Sequence, residues 1–469
     1  MSWIATLRNK LADLLRVESE GAAPEEGAAD SGVRTLSTWR DRLSSIPRTI
    51  ECPVMTLMGR DEEGVIFTGS GRIEIRSATE IRYFMHAAPA VDLRKAIEVV
   101  NRVKAQPYDP FDLLRLDAVD YRGAHWSGGY TQADFFTDHD RGWPLAGDLQ
   151  ALSTLAEGHW VSKRSSVELL LIPPIDLPMS ERLTTKAHIG NREIRTTYGP
   201  GQHTLEVLGT KITFAYEPEE EALWITADTS EALNHPFLEN WLTEPLRILL
   251  GMPVYPRMVA RNLGDGTAQV WLRPSPRTKG PSGIGLLQPF SMEPGAQRAE
   301  AFWQAYADIL TFIAKGGEFE SNPLTRYYEE MCGAAQGSRW ALTLTLAGAA
   351  EAMASGLTTQ ADRAPEYSAD NLKKMKDHLK AFAYDSGLRD RMLSNLGMVS
   401  KRSVLAFMRG LGAAGTLDPD HVQTWYDIRN SVMHGHLVEP WSTEEGDDRL
   451  RQMLALVHAL TRARLAVGE

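Results

Sequence analysis

The sequence predicts an α+β multidomain chain: a β-rich, mainly antiparallel region followed by an all-α helical bundle. Three observations carry that expectation. From about residue 50 to 275 apolar residues recur with a period of two; from about 297 onward the period is 3.6 and strand signals vanish. Between the two lies a Pro/Gly/Ser-rich stretch over 274–294, the natural place for a boundary. The expected division is a leader and linker over 1–33, a β-rich unit over 34–290 and a helical unit over 297–469.

The elements follow in order. Trp3, Ile4, Leu7, Leu11, Leu14 and Leu15 recur at helical spacing among Arg8, Lys10 and Arg16, so the leader reads as an amphipathic helix that docks on the body or on a partner chain, with attachment to a membrane surface as the lesser alternative. Residues 20–32 carry Ala, Gly, Glu, Pro and Asp without a large apolar side chain, a flexible acidic linker rather than a secretory or transit signal. Arg72-Ile73-Glu74-Ile75-Arg76 alternates strictly, isoleucines on one face and charges on the other. Further strands are expected at 65–68, 114–121, 129–136, 166–172 and 222–226. The runs 204–208 and 211–216 read as a hairpin joined through Gly209-Thr210. Two helices interrupt, over 91–104 with Leu93, Ile97 and Val100 on one side, and over 236–250, which begins at a proline and stops at Gly251.

In the second half the apolar spacing predicts helices over 299–314, 323–335, 339–354, 369–383, 388–396, 401–411, 421–434 and 444–467. In the last of these Leu450, Met453, Leu454, Val457 and Leu460 form one stripe.

The 469 residues carry a formal net charge of -11, with 43% hydrophobic and 24% charged residues. Such a balance argues against a protein that coats nucleic acid non-specifically, while leaving room for a local basic site. Two cysteines, Cys52 and Cys332, provide no disulfide framework and no Cys-rich zinc site, and a reducing, cytoplasmic location is expected. No apolar run is long enough for a transmembrane helix, so no membrane partner is expected. No P-loop, dinucleotide fingerprint, HExxH or G-x-S-x-G elbow occurs. In Asp138-His139-Asp140 at best the two aspartates share a face and no further ligand cluster lies nearby, so it reads as a solvated loop. His434 and His436 diverge on a helix with no obvious third ligand; no metal or cofactor is expected.

Chemistry concentrates between Trp425 and Gly435. At 100° per residue Trp425, Ile428 and Val432 face the bundle, whereas Asp427, Asn430, Ser431 and His434 form a hydrogen-bonding stripe on the opposite side. Gly435 is placed to end the helix in a left-handed conformation, leaving His434 at its negative end. Imidazole suits proton transfer near neutral pH, and the guanidinium of Arg429 suits phosphate. The two lie five residues apart, which separates them by about 140° on a straight helix. To meet on one phosphate they need long reach, a distorted turn, or groups from a second chain.

Arg429-Asn430-x-x-x-His434-Gly435 resembles the R-x4–6-H signature of the HEPN superfamily. The upstream helix with Leu342, Leu344, Leu346 and Glu351, preceded by Asn322-Pro323-Leu324, resembles the helices found beside such motifs. The layout is similar to ApeA-like anti-phage proteins, helped by Trp126-Ser127-Gly128-Gly129-Tyr130 and Leu249-Leu250-Gly251-Met252-Pro253. The resemblance implies a metal-independent endoribonuclease of abortive infection that works as a homodimer, with two motif helices facing each other across a two-fold axis. His434 would act as general base or acid, Arg429 would stabilise the transition state and Asn430 would orient either the imidazole or the phosphate. Asp427, Tyr426, Ser431 and Glu351 are the further cleft-lining candidates. Structured RNA such as tRNA would be the substrate, and the β-rich region would sense a phage-derived activator or restrain the nuclease. The rival reading is a non-catalytic dimerisation or interaction protein. An enzyme housed in the β-rich region, such as a carbohydrate-active hydrolase, finds no pair of carboxylates to support it.

Overall fold

The computed structural model describes residues 35–43, 46–59, 64–105, 113–136, 143–158, 161–179, 181–189, 192–217, 221–275, 282–287, 295–316, 321–359, 367–383, 385–399, 403–436 and 438–467. The expected leader helix and Asp138-His139-Asp140 lie outside them.

The first half alternates as its period of two requires. Its strands are β1 (Arg48–Met58), β2 (Val65–Ser77), β3 (Glu80–Pro89), β4 (Leu114–Val119), β5 (His125–Thr131), β6 (Asp134–Phe135), β7 (Trp143–Asp148) and β8 (Leu152–Glu157). The series continues with β9 (Ser165–Leu171), β10 (Glu181–Ile189), β11 (Arg192–Val207), β12 (Thr210–Glu217), β13 (Ala222–Asp228), β14 (Met258–Leu263) and β15 (Thr267–Leu272). Among the described residues they form one 15-stranded sheet, in the order β10-β11-β12-β13-β9-β14-β15-β8-β5-β4-β1-β2-β3-β7-β6. Every neighbouring pair is antiparallel.

Three sequence expectations need correction here. The hairpin between β11 and β12 turns on Leu208-Gly209, not Gly209-Thr210: both have positive φ, 49° and 72°, and Val207 pairs with Thr210. A two-residue turn of this hand matches the twist of the strands, and Gly209 supplies one of its two left-handed positions without strain. The expected strand over 129–136 is divided between β5 and β6, whereas 65–68 and 72–76 belong to one strand, β2.

Helix α1 (Thr35–Leu43) lies against β9 and β14, and the Glu168 carboxylate accepts from the Thr35 and Leu36 amides at 3.1 and 3.0 Å. Helix α2 (Leu93–Ala105) buries Ala96, Val99, Val100 and Val103, leaving Leu93 and Ile97 exposed. Periodicity admits both stripes, and the face with the smaller side chains is the one buried. The expected helix over 236–250 is instead two, α3 (Leu238–Trp241) and α4 (Glu244–Leu250). Pro245 has no N–H and cannot continue a helix, but it costs nothing in the first turn of a new one. Gly251 ends α4 with φ +59°, as expected.

The second half is helical: α5 (Gly295–Lys315), α6 (Pro323–Ala335), α7 (Arg339–Leu357), α8 (Ala369–Lys380), α9 (Ser386–Val399), α10 (Val404–Ala413), α11 (Pro419–Met433) and α12 (Glu444–Val467). Each answers to an expected helix, with ends shifted by a few residues at most. Prolines and side-chain caps set several starts: Asn322 caps α6, Ser338 caps α7 and Asp418 caps α11.

The sheet's apolar residues divide by alternation. On β9, Val167, Leu169 and Leu171 join a core shared with the helices, while Leu170 joins a second core formed with β1–β5. The shared core runs from β9, β12 and β13 through α4 and α5 to Tyr328, Ala350, Trp425 and Val457. Tyr306 of α5 donates to the Leu242 carbonyl at 2.9 Å, and Trp303 donates to the Pro178 carbonyl at 2.7 Å. Helix α7 stands at the centre of the bundle, touching α6, α10, α11 and α12.

Candidate functional site

Helix α11 is positioned by its apolar side. Trp425, Ile428 and Val432 are buried, as their spacing requires, and the Trp425 indole donates to the Ala347 carbonyl of α7 at 3.0 Å. Burying an indole with its N–H satisfied fixes both the rotation and the height of α11 on α7.

The helix ends in the expected way. Gly435 has φ +81°, the Gly435 amide donates to the Val432 carbonyl at 3.0 Å and the His436 amide donates to the Ser431 carbonyl at 3.1 Å. These two bonds constitute a Schellman motif. His434 is the C-cap at φ -90° and ψ 9°, its amide shared between the Asn430 and Ser431 carbonyls at 3.2 Å each. Its imidazole is exposed and makes no hydrogen bond or ion pair among the described residues.

Arg429 is held differently. Its Nε donates to Glu351 Oε2 at 2.9 Å and its Nη2 to Glu351 Oε1 at 3.1 Å, a two-point bond between α11 and α7. Hydrogen bonding to that carboxylate raises the guanidinium pKa further. The pair occupies two of five N–H groups, leaving three on the far end of the fork to receive an anion. Glu351 therefore orients Arg429; sequence reasoning could equally take it for a solvated glutamate, because spacing within α7 says nothing about what crosses from α11.

Around α11 the surface side chains follow one another as Arg429, Tyr426, Asn430, His434, Asp427 and Ser431, each placed by about 100° per residue. Asp427, Ser431 and His434 are exposed, and Asn430 is half-buried with no side-chain hydrogen bond among the described residues. Asp427 accepts from Gln423 at 2.9 Å. Tyr426 packs against the core, with the Arg409 guanidinium 5.9 Å from its ring centre. The stripe expected from the sequence therefore lies on the surface. No hydrogen bond brings Arg429 and His434 together among the described residues, however: the guanidinium is bonded to Glu351 of α7, and His434 is the exposed C-cap of α11.

Residues on the α12 side of this stripe were not legible as site residues. Arg339, Trp441 and Arg449 join Asp427 and Ser431 around a cavity of about 310 Å³. The signal available for Trp441 is a large aromatic in the Pro- and Ser-containing segment between two helices.

Other reactive groups lie away from this helix. Burial pushes the Cys52 thiol up to about 12 and the Cys332 thiol up to about 11, so both are core residues rather than thiolates at neutral pH. Among the described residues no three His, Cys, Asp or Glu gather as a metal site, and no helix is long and apolar enough to cross a membrane. Comparison of the chain with family models, with curated proteins and with solved structures finds no match in any of the three.

Proposed function

We propose that this chain is a metal-independent endoribonuclease of HEPN type that acts in cytoplasmic anti-phage defence, with the surface of α11 as its active face. The observation that carries the reading is the presence on one helix of a guanidinium, fixed by Glu351 with its outer N–H groups free, and an unencumbered imidazole five residues further on. The likeness of Arg429 to Gly435 to the HEPN motif supports the same assignment.

The chemistry follows from those groups. His434 takes the proton from a ribose 2′-OH, or gives one to the leaving 5′-oxygen. The O2′–P bond forms as the P–O5′ bond breaks, giving a 2′,3′-cyclic phosphate and a 5′-hydroxyl. Arg429 stabilises the charge gathering on the phosphorus oxygens, and Asn430, between the two around the helix, holds the phosphate or the imidazole. Because Arg429 and His434 diverge by about 140° on one helix, a second copy facing α11 across a two-fold axis supplies the missing convergence.

Restraint is physically required of such an enzyme, and we assign it to the β-rich half together with response to a phage-derived activator. The two halves are joined by buried polar contacts. Arg247 of α4 pairs with Glu329 of α6 at 2.9 Å, both nearly buried, and the Glu244 carboxylate of α4 accepts from the Asn322 amide at 3.0 Å and from Thr325.

The test is incubation of the purified protein with structured RNA, including tRNA, in EDTA, beside Arg429→Ala and His434→Ala. Chelator-resistant cutting that both substitutions abolish, with unchanged circular dichroism, is the expected result. An inert wild type whose substitutions leave phage protection intact leaves only a dimerisation module.

A further inference from the structure

The cavity beside the stripe lies between α11, the segment that follows it, the start of α12 and the start of α7. At about 310 Å³ it stands at the lower end of ligand pockets, with room for one planar heterocycle. Ile428 and Val432 give it an apolar wall, and Trp441, 63% exposed, gives it an aromatic face not spent on the core.

The polar lining selects the ligand class. Asp427, Glu439 and Glu445 outnumber Arg339 and Arg449, and both arginines already hold a carboxylate: Arg339 pairs with Asp447 at 2.6 Å and Arg449 with Glu445 at 2.8 Å. Such a wall repels a phosphate and suits a neutral ring that presents N–H donors. Arg339 spends Nη1 on Asp447, and its Nη2 has no hydrogen-bond partner among the described residues, a donor left in the same wall. Ser431 lines the cavity three residues before His434, one helical turn away.

We propose that this cavity receives a guanine base of the RNA whose phosphate lies at Arg429 and His434. Guanine alone among the four bases combines two adjacent N–H donors, N1–H and N2–H, for the Asp427 carboxylate with an O6 acceptor for Arg339, and its ring stacks on Trp441. The inference rests on the ribonuclease reading and adds to it a base preference at the cut.

The experiment uses full-length His434→Ala protein, which cannot consume its ligand, and fluorescence anisotropy with decameric uridine-rich RNAs carrying one central guanosine, inosine or adenosine. Guanosine RNA binds about tenfold more tightly than adenosine RNA, with inosine RNA between them because it lacks the 2-amino group. Adding Trp441→Ala weakens guanosine RNA about ten- to a hundredfold, the range of base–aromatic stacking. Adding Asp427→Asn removes the guanosine preference and leaves adenosine RNA unchanged. Both are surface substitutions.

Equal binding of the three RNAs, absence of binding, or indifference to both substitutions overturns the proposal. The two readings fail separately. Cutting that needs Arg429 and His434 but ignores base identity leaves the nuclease and removes the guanine site. Trp441-dependent guanosine binding by a protein that cuts no RNA does the reverse.

Discussion

Replacing Glu351 by glutamine separates orientation from stability at the proposed site. The two Glu351–Arg429 bonds measure 2.9 and 3.1 Å, but the side chains are 34% and 36% exposed, so water screens the charges. An ion pair in that setting contributes about 0.2–1 kcal/mol, and a chain of this size should lose about 2 °C or less in Tm. Catalysis is affected more. Glutamine retains one oxygen acceptor but cannot hold both N–H groups, so the guanidinium swings. Misplacing a catalytic group by about 1 Å costs up to about a hundredfold. Glu351→Gln is therefore expected to cut RNA about ten- to a hundredfold more slowly, mainly in kcat, with an unfolding curve close to that of the parent. The assay is steady-state cleavage in EDTA with thermal unfolding by circular dichroism on the same preparation. Parent-like kcat alongside an inactive Arg429→Ala refutes the orienting role. A stability loss above about 3 kcal/mol makes Glu351 a structural residue instead.

Arg429→Ala mixed with His434→Ala, each inactive alone, should recover about a quarter of parent activity if each site draws its two groups from different protomers and exchange is statistical; no recovery places both groups in one protomer. Gly435→Ala forces an alanine into φ +81° where a Cβ meets open space, so backbone strain of about 1 kcal/mol is the expected loss, read by chemical denaturation. Glu244 is fully buried, its Oε1 has no partner among the described residues, and burial raises its pKa above the ordinary 4.5. Its folded form prefers the proton, so stability is lost as pH rises from 4.5 through the raised value. Glu244→Gln should flatten Tm across that window, and an unchanged slope contradicts the assignment.

The bundle was legible because its helices carry their own punctuation. Pro323 and Pro419 stand in first turns, Gly435 follows the last turn of α11, and the α12 stripe faces the core through Met453, Val457 and Leu460. Strand positions were legible where alternation is strict, as in Arg72 to Arg76, but their order was not. β9 pairs with β13 and β14, and β8 with β15, across long loops that local pattern does not encode. The turn at Leu208 escaped because leucine rarely takes positive φ. At the site, the exposed stripe followed from helical geometry alone. The Arg429–Glu351 bond spans 78 residues and the Trp441 cavity joins three elements, so both depend on tertiary packing.

Identification of the RNA ends produced in EDTA tests the central claim most directly. Attack by a neighbouring 2′-OH, assisted by Arg429 and His434, predicts 2′,3′-cyclic phosphate and 5′-hydroxyl termini, and no cut where the scissile nucleotide is 2′-deoxy. Termini bearing 3′-hydroxyl and 5′-phosphate, or cutting that stops on chelation and returns with magnesium, would contradict it.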